Sequence, residues 1–338
     1  MNSTLFVKIL REKKLLLPPL SGYTDYPYRV ILARFNPPFL ITEMVNARAI
    51  VQNNRRTMQM LKIAKGKQHN GVQLVGSIPE YMRKAAVIVQ DLGFEYIDIN
   101  MGCTARKVTR RGEGVSLMKQ EENACAIVKA VSTAVDVPVT CKMRLGVSKH
   151  AINVVSLSQK LVDAGATALT IHGRSGEKKF GTPLDQDTMR QTTLALSVPV
   201  IANGNIYSGM DAEQAIQLTG AAAVMPGRGL LGNPWLIPEI LNTLAGKTVV
   251  KPTLQEKKQV CLDHLHLLVE YYGERRAILK MRSILPHYFS SCLFLKELKK
   301  DVQKTTTSKD ISNLLSRVYQ NEINMKYQRE IARCDSCS

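Results

Sequence analysis

Eight short apolar runs separated by helical patterns constrain this chain more than anything else in it. The first, Leu15-Leu16-Leu17-Pro18-Pro19-Leu20, is stopped by prolines, and comparable runs cover 39–43, 72–75, 95–100, 138–142, 168–172, 199–203 and 222–225. Between them apolar residues recur at helical spacing, over 26–35, 79–90, 123–135, 151–164 and 211–218. Strand and helix alternating in this way, with most strand ends about 25 to 40 residues apart, predict a (β/α)8 TIM barrel of the α/β class. An open doubly wound sheet is the alternative. It is disfavoured because no G-x-G-x-x-G turn follows the first run, where that fold displays its dinucleotide fingerprint.

The pattern ends at residues 244–252, which read as a linker. Beyond it Thr253 and Glu256 have the spacing of a capping box. Amphipathic, Lys-rich helices are expected over 254–272, 275–290, 293–300 and 309–320, with no strand signal. The chain therefore divides into a barrel domain, 1–243, and an all-α helical domain, 253–330. Cys334 and Cys337 form a C-x-x-C near the end. Zinc would need two further ligands, no second pair is near, and a frayed terminus without a metal is the expectation.

Charge and cysteine usage bound the partners and the compartment. Lys plus Arg number 46 against 28 for Asp plus Glu, a formal net charge of +18 that favours a polyanionic partner unless it is merely solvated. Seven scattered cysteines argue for a reducing compartment. No apolar window of the roughly 18 residues a membrane span requires is present. The start, Met1 to Lys14, alternates apolar and basic residues and has neither the apolar core nor the cleavage site of a signal peptide. A cytoplasmic protein with no membrane partner is expected.

Polar residues stand where the apolar runs stop: Gln73, Asn100, Lys142, Arg144, His172 and Asn203. In a barrel these positions converge on the catalytic face. Any one of them alone can be structural, since a strand-end histidine is more often a hydrogen-bonded core residue. Asn203-Gly204-Asn205 and Gly227-Arg228-Gly229 close the last two runs, where glycine amides and an arginine can hold a phosphate. Lys142 and Arg144, two apart, point to one side of a strand and suit an electron-rich cofactor ring such as a reduced flavin. Cys103 follows in a loop that also carries Arg106 and Lys107, an environment that presents a thiol in a positive field. An isolated loop cysteine is otherwise inert more often than catalytic.

Taken together, Pro19-Leu20-Ser21-Gly22-Tyr23-Thr24-Asp25, Val72-Gln73-Leu74-Val75-Gly76, residues 97–114, Cys141-Lys142-Met143-Arg144-Leu145-Gly146, Ile171-His172-Gly173-Arg174, Ala202-Asn203-Gly204-Asn205-Ile206 and Gly227-Arg228-Gly229 resemble the tRNA-dihydrouridine synthases. The bacterial B-type branch is most similar. The resemblance covers nearly the whole chain and implies an FMN at the barrel mouth, NADPH as reductant and tRNA as partner. It implies that Pro19, Leu20 and Ser21 line the flavin, that Gln73, Lys142 and His172 hydrogen-bond its ring, and that Asn203, Gly204, Asn205, Gly227 and Arg228 hold its phosphate. Asn100, Arg144 and Arg174 would face the uridine, Cys103 would be the acid, and the helical domain would contact the tRNA. The chain departs from the family at Thr104, where a proline is usual, at Leu20, where methionine is common, and at Ile284 and Ser290-Ser291 in the helical part.

The chemistry can be argued from the base itself. Reducing the C5–C6 bond of uracil takes a hydride at C6 and a proton at C5, and an ordinary thiol, with a pKa of about 8.5, is mostly protonated at pH 7 and can give that proton. Reduction of a free pyrimidine, as in dihydroorotate dehydrogenase-like enzymes, and flavin- and folate-dependent methylation of RNA uridine are the other enzymatic readings. An RNA-binding remnant without flavin is the non-enzymatic one. A monomer is expected.

Overall fold

The computed structural model describes residues 1–177 and 182–335, with side chains described through residue 324. Seven parallel strands form one sheet: β1 (Phe39–Asn46), β2 (His69–Val75), β3 (Tyr96–Met101), β4 (Val139–Arg144), β7 (Ala168–His172), β8 (Val200–Asn203) and β9 (Ala223–Met225), neighbours in that order. A small antiparallel hairpin, β5 (Gly146–Ser148) with β6 (Ala151–Ile152), follows β4. Helices fill the intervals, including Tyr26–Ala33, Pro79–Asp91, Glu121–Ser132, Val154–Asp163 and Gly209–Thr219.

The first predicted run is a stave rather than a full strand. Leu16 N–H donates to the Val224 carbonyl at 3.0 Å, Val224 N–H to Lys14 at 3.0 Å, and Leu17 N–H to Phe39 at 3.4 Å. The segment thus bonds to both edge strands, β9 and β1, and closes the sheet into an eight-stave ring. Pro18 and Pro19 end it, because proline has no N–H to continue a ladder. The helix expected to start at 151 starts at Val154 instead, since Ala151-Ile152 pairs back on Gly146. A Cβ at Gly146 would stand 2.0 Å from the Ala151 carbonyl, so the close pass depends on glycine.

Alternation along the strands separates two cores. Ile97, Ile99 and Met101 on β3, with Cys141 and Met143 on β4, pack outward under the helices. Tyr96, Phe39, Ala168, Ile201 and Ala223 face inward with Phe6 and Leu10. Those last two come from a helix at Ser3–Lys13 that the sequence patterns left unassigned, N-capped by Asn2, whose Oδ1 accepts from Leu5 N–H at 2.9 Å. The Phe6 ring lies 4.7 Å from that of Phe39 and 5.4 Å from that of Tyr96. The N-terminal end of the barrel is plugged with aromatic rings.

The chain parts into two compact units: Met1–Leu230 with Leu236–Val249, and Leu231–Trp235 with the chain from Val250 onward. The second contains helices at Leu254–Tyr272, Glu274–Tyr288, Leu295–Val302 and Ser308–Asp335. The Thr253–Glu256 capping box is formed. Met281 and Tyr288 are core residues of this unit, and Tyr288 Oη lies 3.0 Å from His264 Nδ1. Cys337 lies outside the described residues, as does the side chain of Cys334. Among the described residues no cluster of three metal-ligating side chains occurs, and no helix is long and apolar enough to cross a membrane.

Candidate active site

The inward face of each strand changes character along its length, and the change makes the site. On β3 the residues pointing into the barrel are Tyr96, then Asp98, then Asn100; on β4 they are Thr140, Lys142 and Arg144. At the C-terminal ends of the strands these polar groups surround a cavity of about 220 Å³. All fifteen residues expected to contact the flavin, the base or the transferred proton line it: Pro19, Leu20, Ser21, Gln73, Asn100, Cys103, Lys142, Arg144, His172, Arg174, Asn203, Gly204, Asn205, Gly227 and Arg228. Pro18, Met44, Gly102, Ile206 and Tyr207 line it as well and had not been singled out for it. Met44 and Ile206 are apolar residues at strand ends, which pattern alone assigns to the core.

Cys103 stands at the end of β3 in a turn held from three sides. Asn100 Oδ1 accepts from the N–H groups of Cys103 at 3.0 Å and Gly102 at 3.3 Å. Arg144 Nε donates to the Gly102 carbonyl at 2.9 Å, and Val115 N–H to the Cys103 carbonyl at 2.9 Å. Gly114, at φ +62°, lets that last contact form, because a Cβ there would be 2.6 Å from the Cys103 oxygen. Thr104 is exposed, and none of these bonds uses its side chain. Arg106 and Lys107 are exposed and do not line the cavity, whereas Arg144 is buried beside the turn and interacts with the thiol.

Cations dominate the rest of the lining. Lys142 Nζ donates to Asn203 Oδ1 at 2.7 Å, and Asn203 Nδ2 donates to the Met225 carbonyl at 2.7 Å. Burial, with Arg144 adding repulsion, lowers the Lys142 pKa to about 8. Burial first, and then Lys142, Arg144, Arg174 and Arg228, push His172 down to about 2, so its imidazole is neutral in this cavity. Arg144 and Arg174 are also lowered, each by burial and then by a neighbouring arginine. Arg174 Nη2 donates to Asn205 Oδ1 at 2.9 Å, tying the end of β7 to the turn after β8. At Gly227 a Cβ would meet nothing within 4 Å, so the chain beside Arg228 leaves open space. A crowd of like charges around an open space is arranged for an anion.

The family profile described as dihydrouridine synthase matches residues 16–324. The chain belongs to the dihydrouridine synthase family. As a member of it the protein is a flavin-dependent oxidoreductase. The chain is 37% identical over 322 residues to a probable tRNA-dihydrouridine synthase 1 of Synechocystis sp. (strain ATCC 27184 / PCC 6803 / Kazusa), covering 92% of this chain and 90% of that one. It is 36% identical over 277 residues to a probable tRNA-dihydrouridine synthase of Rhizobium leguminosarum bv. phaseoli, covering 82% and 85%. Over 264 residues it is 36% identical to tRNA-dihydrouridine synthase B of Pasteurella multocida (strain Pm70), covering 78% and 79%. The barrel fold is shared with 6-hydroxypseudooxynicotine amine oxidase from Pseudomonas geniculata, at 12% identity and a TM-score of 0.52, over 76% of this chain and 50% of that one.

Two residues under this dihydrouridine synthase site were missed. Asp98 and Thr140 lie in the barrel interior below Gln73 and Asn100, and Asp98 accepts from both Thr140 and Gln73. The signal was present: an acid in the middle of an apolar strand, on the same face as Asn100, is a buried acid.

Proposed function

We propose that this protein uses FMN and NADPH to reduce a uridine of tRNA to 5,6-dihydrouridine. The observation that carries the reading is the cation-lined cavity with Cys103 on its rim, in a chain whose family reduces uridine. The residues present fit FMN. Arg228 and the turns at Gly204 and Gly227 would hold its phosphate, Lys142, Gln73 and neutral His172 would hydrogen-bond its ring, and Pro19, Leu20 and Ser21 would cover its edge. FMN reduced by NADPH would supply the hydride for uracil C6.

The chain's own part is binding, aim and the proton. Asn100, Arg144 and Arg174 would bind and orient the base, which must first leave the RNA stack, at a cost lowest in a loop. The thiol of Cys103 breaks its S–H bond and gives the proton to C5 as the hydride arrives at C6. Arg144, buried beside the turn, stabilises the thiolate so formed, and solvent returns its proton. Lysines of the second unit, such as Lys258 over the Tyr319 ring and Lys280 over that of Tyr272, would add phosphate contacts along the tRNA.

The test is mass spectrometry of nucleosides from dihydrouridine-free tRNA incubated with the protein, FMN and NADPH, beside Cys103→Ala. Uridine gaining two hydrogens in a Cys103-dependent way is the expected result. A methyl gain, or turnover of free pyrimidine alone, overturns it.

A further inference from the structure

Asp98 is a carboxylate with no part in the chemistry above. It is 2% exposed on the inward face of β3, and burial lifts its pKa to about 6 against the opposing pull of Gln73, Thr140 and Lys142. Its surroundings give it a purpose other than filling space. Thr140 Oγ1 donates to one carboxylate oxygen at 2.7 Å, and Gln73 Nε2 donates to the other at 2.7 Å. Asn100 Nδ2 then donates to Gln73 Oε1 at 2.8 Å, and Asn100 Oδ1 accepts from the amides of Gly102 and Cys103.

This is a single file with fixed ends. An ionised carboxylate can only accept, and a backbone N–H can only donate. Each carboxamide between them has one donating and one accepting end, so a single arrangement leaves no group unmet. We infer that Asp98 is a positioning residue, whose acceptor-only carboxylate dictates which way Gln73 and Asn100 face and thereby holds the Cys103 turn at the cavity rim. The consequence for catalysis rests on the function proposed above; the hydrogen-bond file does not.

The file predicts its own reversal. Asp98→Asn removes an acceptor, leaving one donor too many whichever way the amides turn. The mismatch settles where it costs least, at the half-exposed Gly102–Cys103 turn, where water can replace the lost oxygen. Asn100→Asp supplies an acceptor-only group at the other end. In the double variant the new carboxamide at position 98 donates to Gln73, and Gln73 turns over and donates to the new carboxylate at position 100. That carboxylate still accepts from Cys103, so every group is met again with the file running in the opposite direction.

The experiment is amide hydrogen exchange of the full-length apoprotein at pH 8, read on peptides spanning residues 101–104. Asp98→Asn is expected to speed exchange of the Gly102 and Cys103 amides about tenfold, the scale of an unmet buried hydrogen bond. Asp98→Asn with Asn100→Asp is expected to return it to within about threefold of wild type. A residue that merely filled the core would not be rescued from position 100. Wild-type exchange in folded Asp98→Asn, or a double variant no slower than the single, overturns the inference. If Asp98→Asn does not fold, a double variant that folds with protected amides supports the file, and one that also fails overturns it. No flavin or RNA enters the measurement, so failure of the proposed activity and failure of the file are told apart.

Discussion

The two ends of the barrel are built from the same strands and could hardly differ more. At the N-terminal end Phe6, Phe39 and Tyr96 pack ring on ring, and the helix carrying Phe6 and Leu10 seals the opening. At the C-terminal end Lys142, Arg144, Arg174 and Arg228 surround a cavity and, after burial itself, lower the pKa of the neighbouring His172. One end has its interior filled by packed rings. The other is arranged so that an anion would relieve it, and a site of that kind is held in place by the stability of the closed end.

That contrast can be broken from either side. The largest effect is expected at the thiol: Cys103→Ala should cut the rate of tRNA reduction about 10²- to 10⁴-fold, the range for losing a general acid, while NADPH still reduces the flavin. Stopped-flow measurement of the two half-reactions checks this, and equal loss in both would move Cys103 from acid to scaffold. Phe6→Ala should lower unfolding free energy by about 3–5 kcal/mol in urea titrations, with FMN affinity per folded molecule unchanged. A large fall in affinity would mean that the two ends are not separable.

Arg228→Ala should weaken FMN binding about ten- to hundredfold, as expected for one charged hydrogen bond to phosphate, measured by quenching of flavin fluorescence. Unchanged affinity would remove Arg228 from the phosphate site. The smallest effect concerns pH. A histidine held at about 2 when folded, against about 6.5 when unfolded, refuses a proton that the unfolded chain accepts. Its contribution is therefore intact above pH 6.5 and is lost progressively as pH falls below that. The loss is at most about 1.4 kcal/mol for each unit of pH. Apoprotein with His172→Gln should lose less stability than wild type between pH 7 and pH 5. Parallel losses in the two proteins would show that His172 can be charged in the folded site.

How much of this was legible in the sequence follows from how each feature is encoded. Strands buried on both faces read as apolar runs, so 168–172 and 199–203 stood out, as did the polar residues that stop them. The cavity was legible because barrel strands all end at one mouth, which brings six polar residues from five strands to one place. The sealing helix was not: only Phe6 and Leu10 of Ser3–Lys13 are buried, and two residues one turn apart are too faint a period among basic neighbours. Arg144 was not linked to Cys103 from the sequence because it reaches the turn only through the pairing of β3 with β4, whereas Arg106 and Lys107 are near Cys103 in the chain. Asp98 was visible as a letter, but its partners sit on other strands.

The stave at Leu15–Leu17 sets an order in time as well as a shape. It needs Phe39 on one side and Val224 on the other, and Val224 is made only after nearly the whole barrel has left the ribosome. Until then Phe6, Leu10 and the β1 edge wait without their final neighbours, a slow, long-range closure of the sort that exposes a nascent chain to aggregation. Residues 6–17 thus precede the rest of the barrel in the chain and are among the last to find their place.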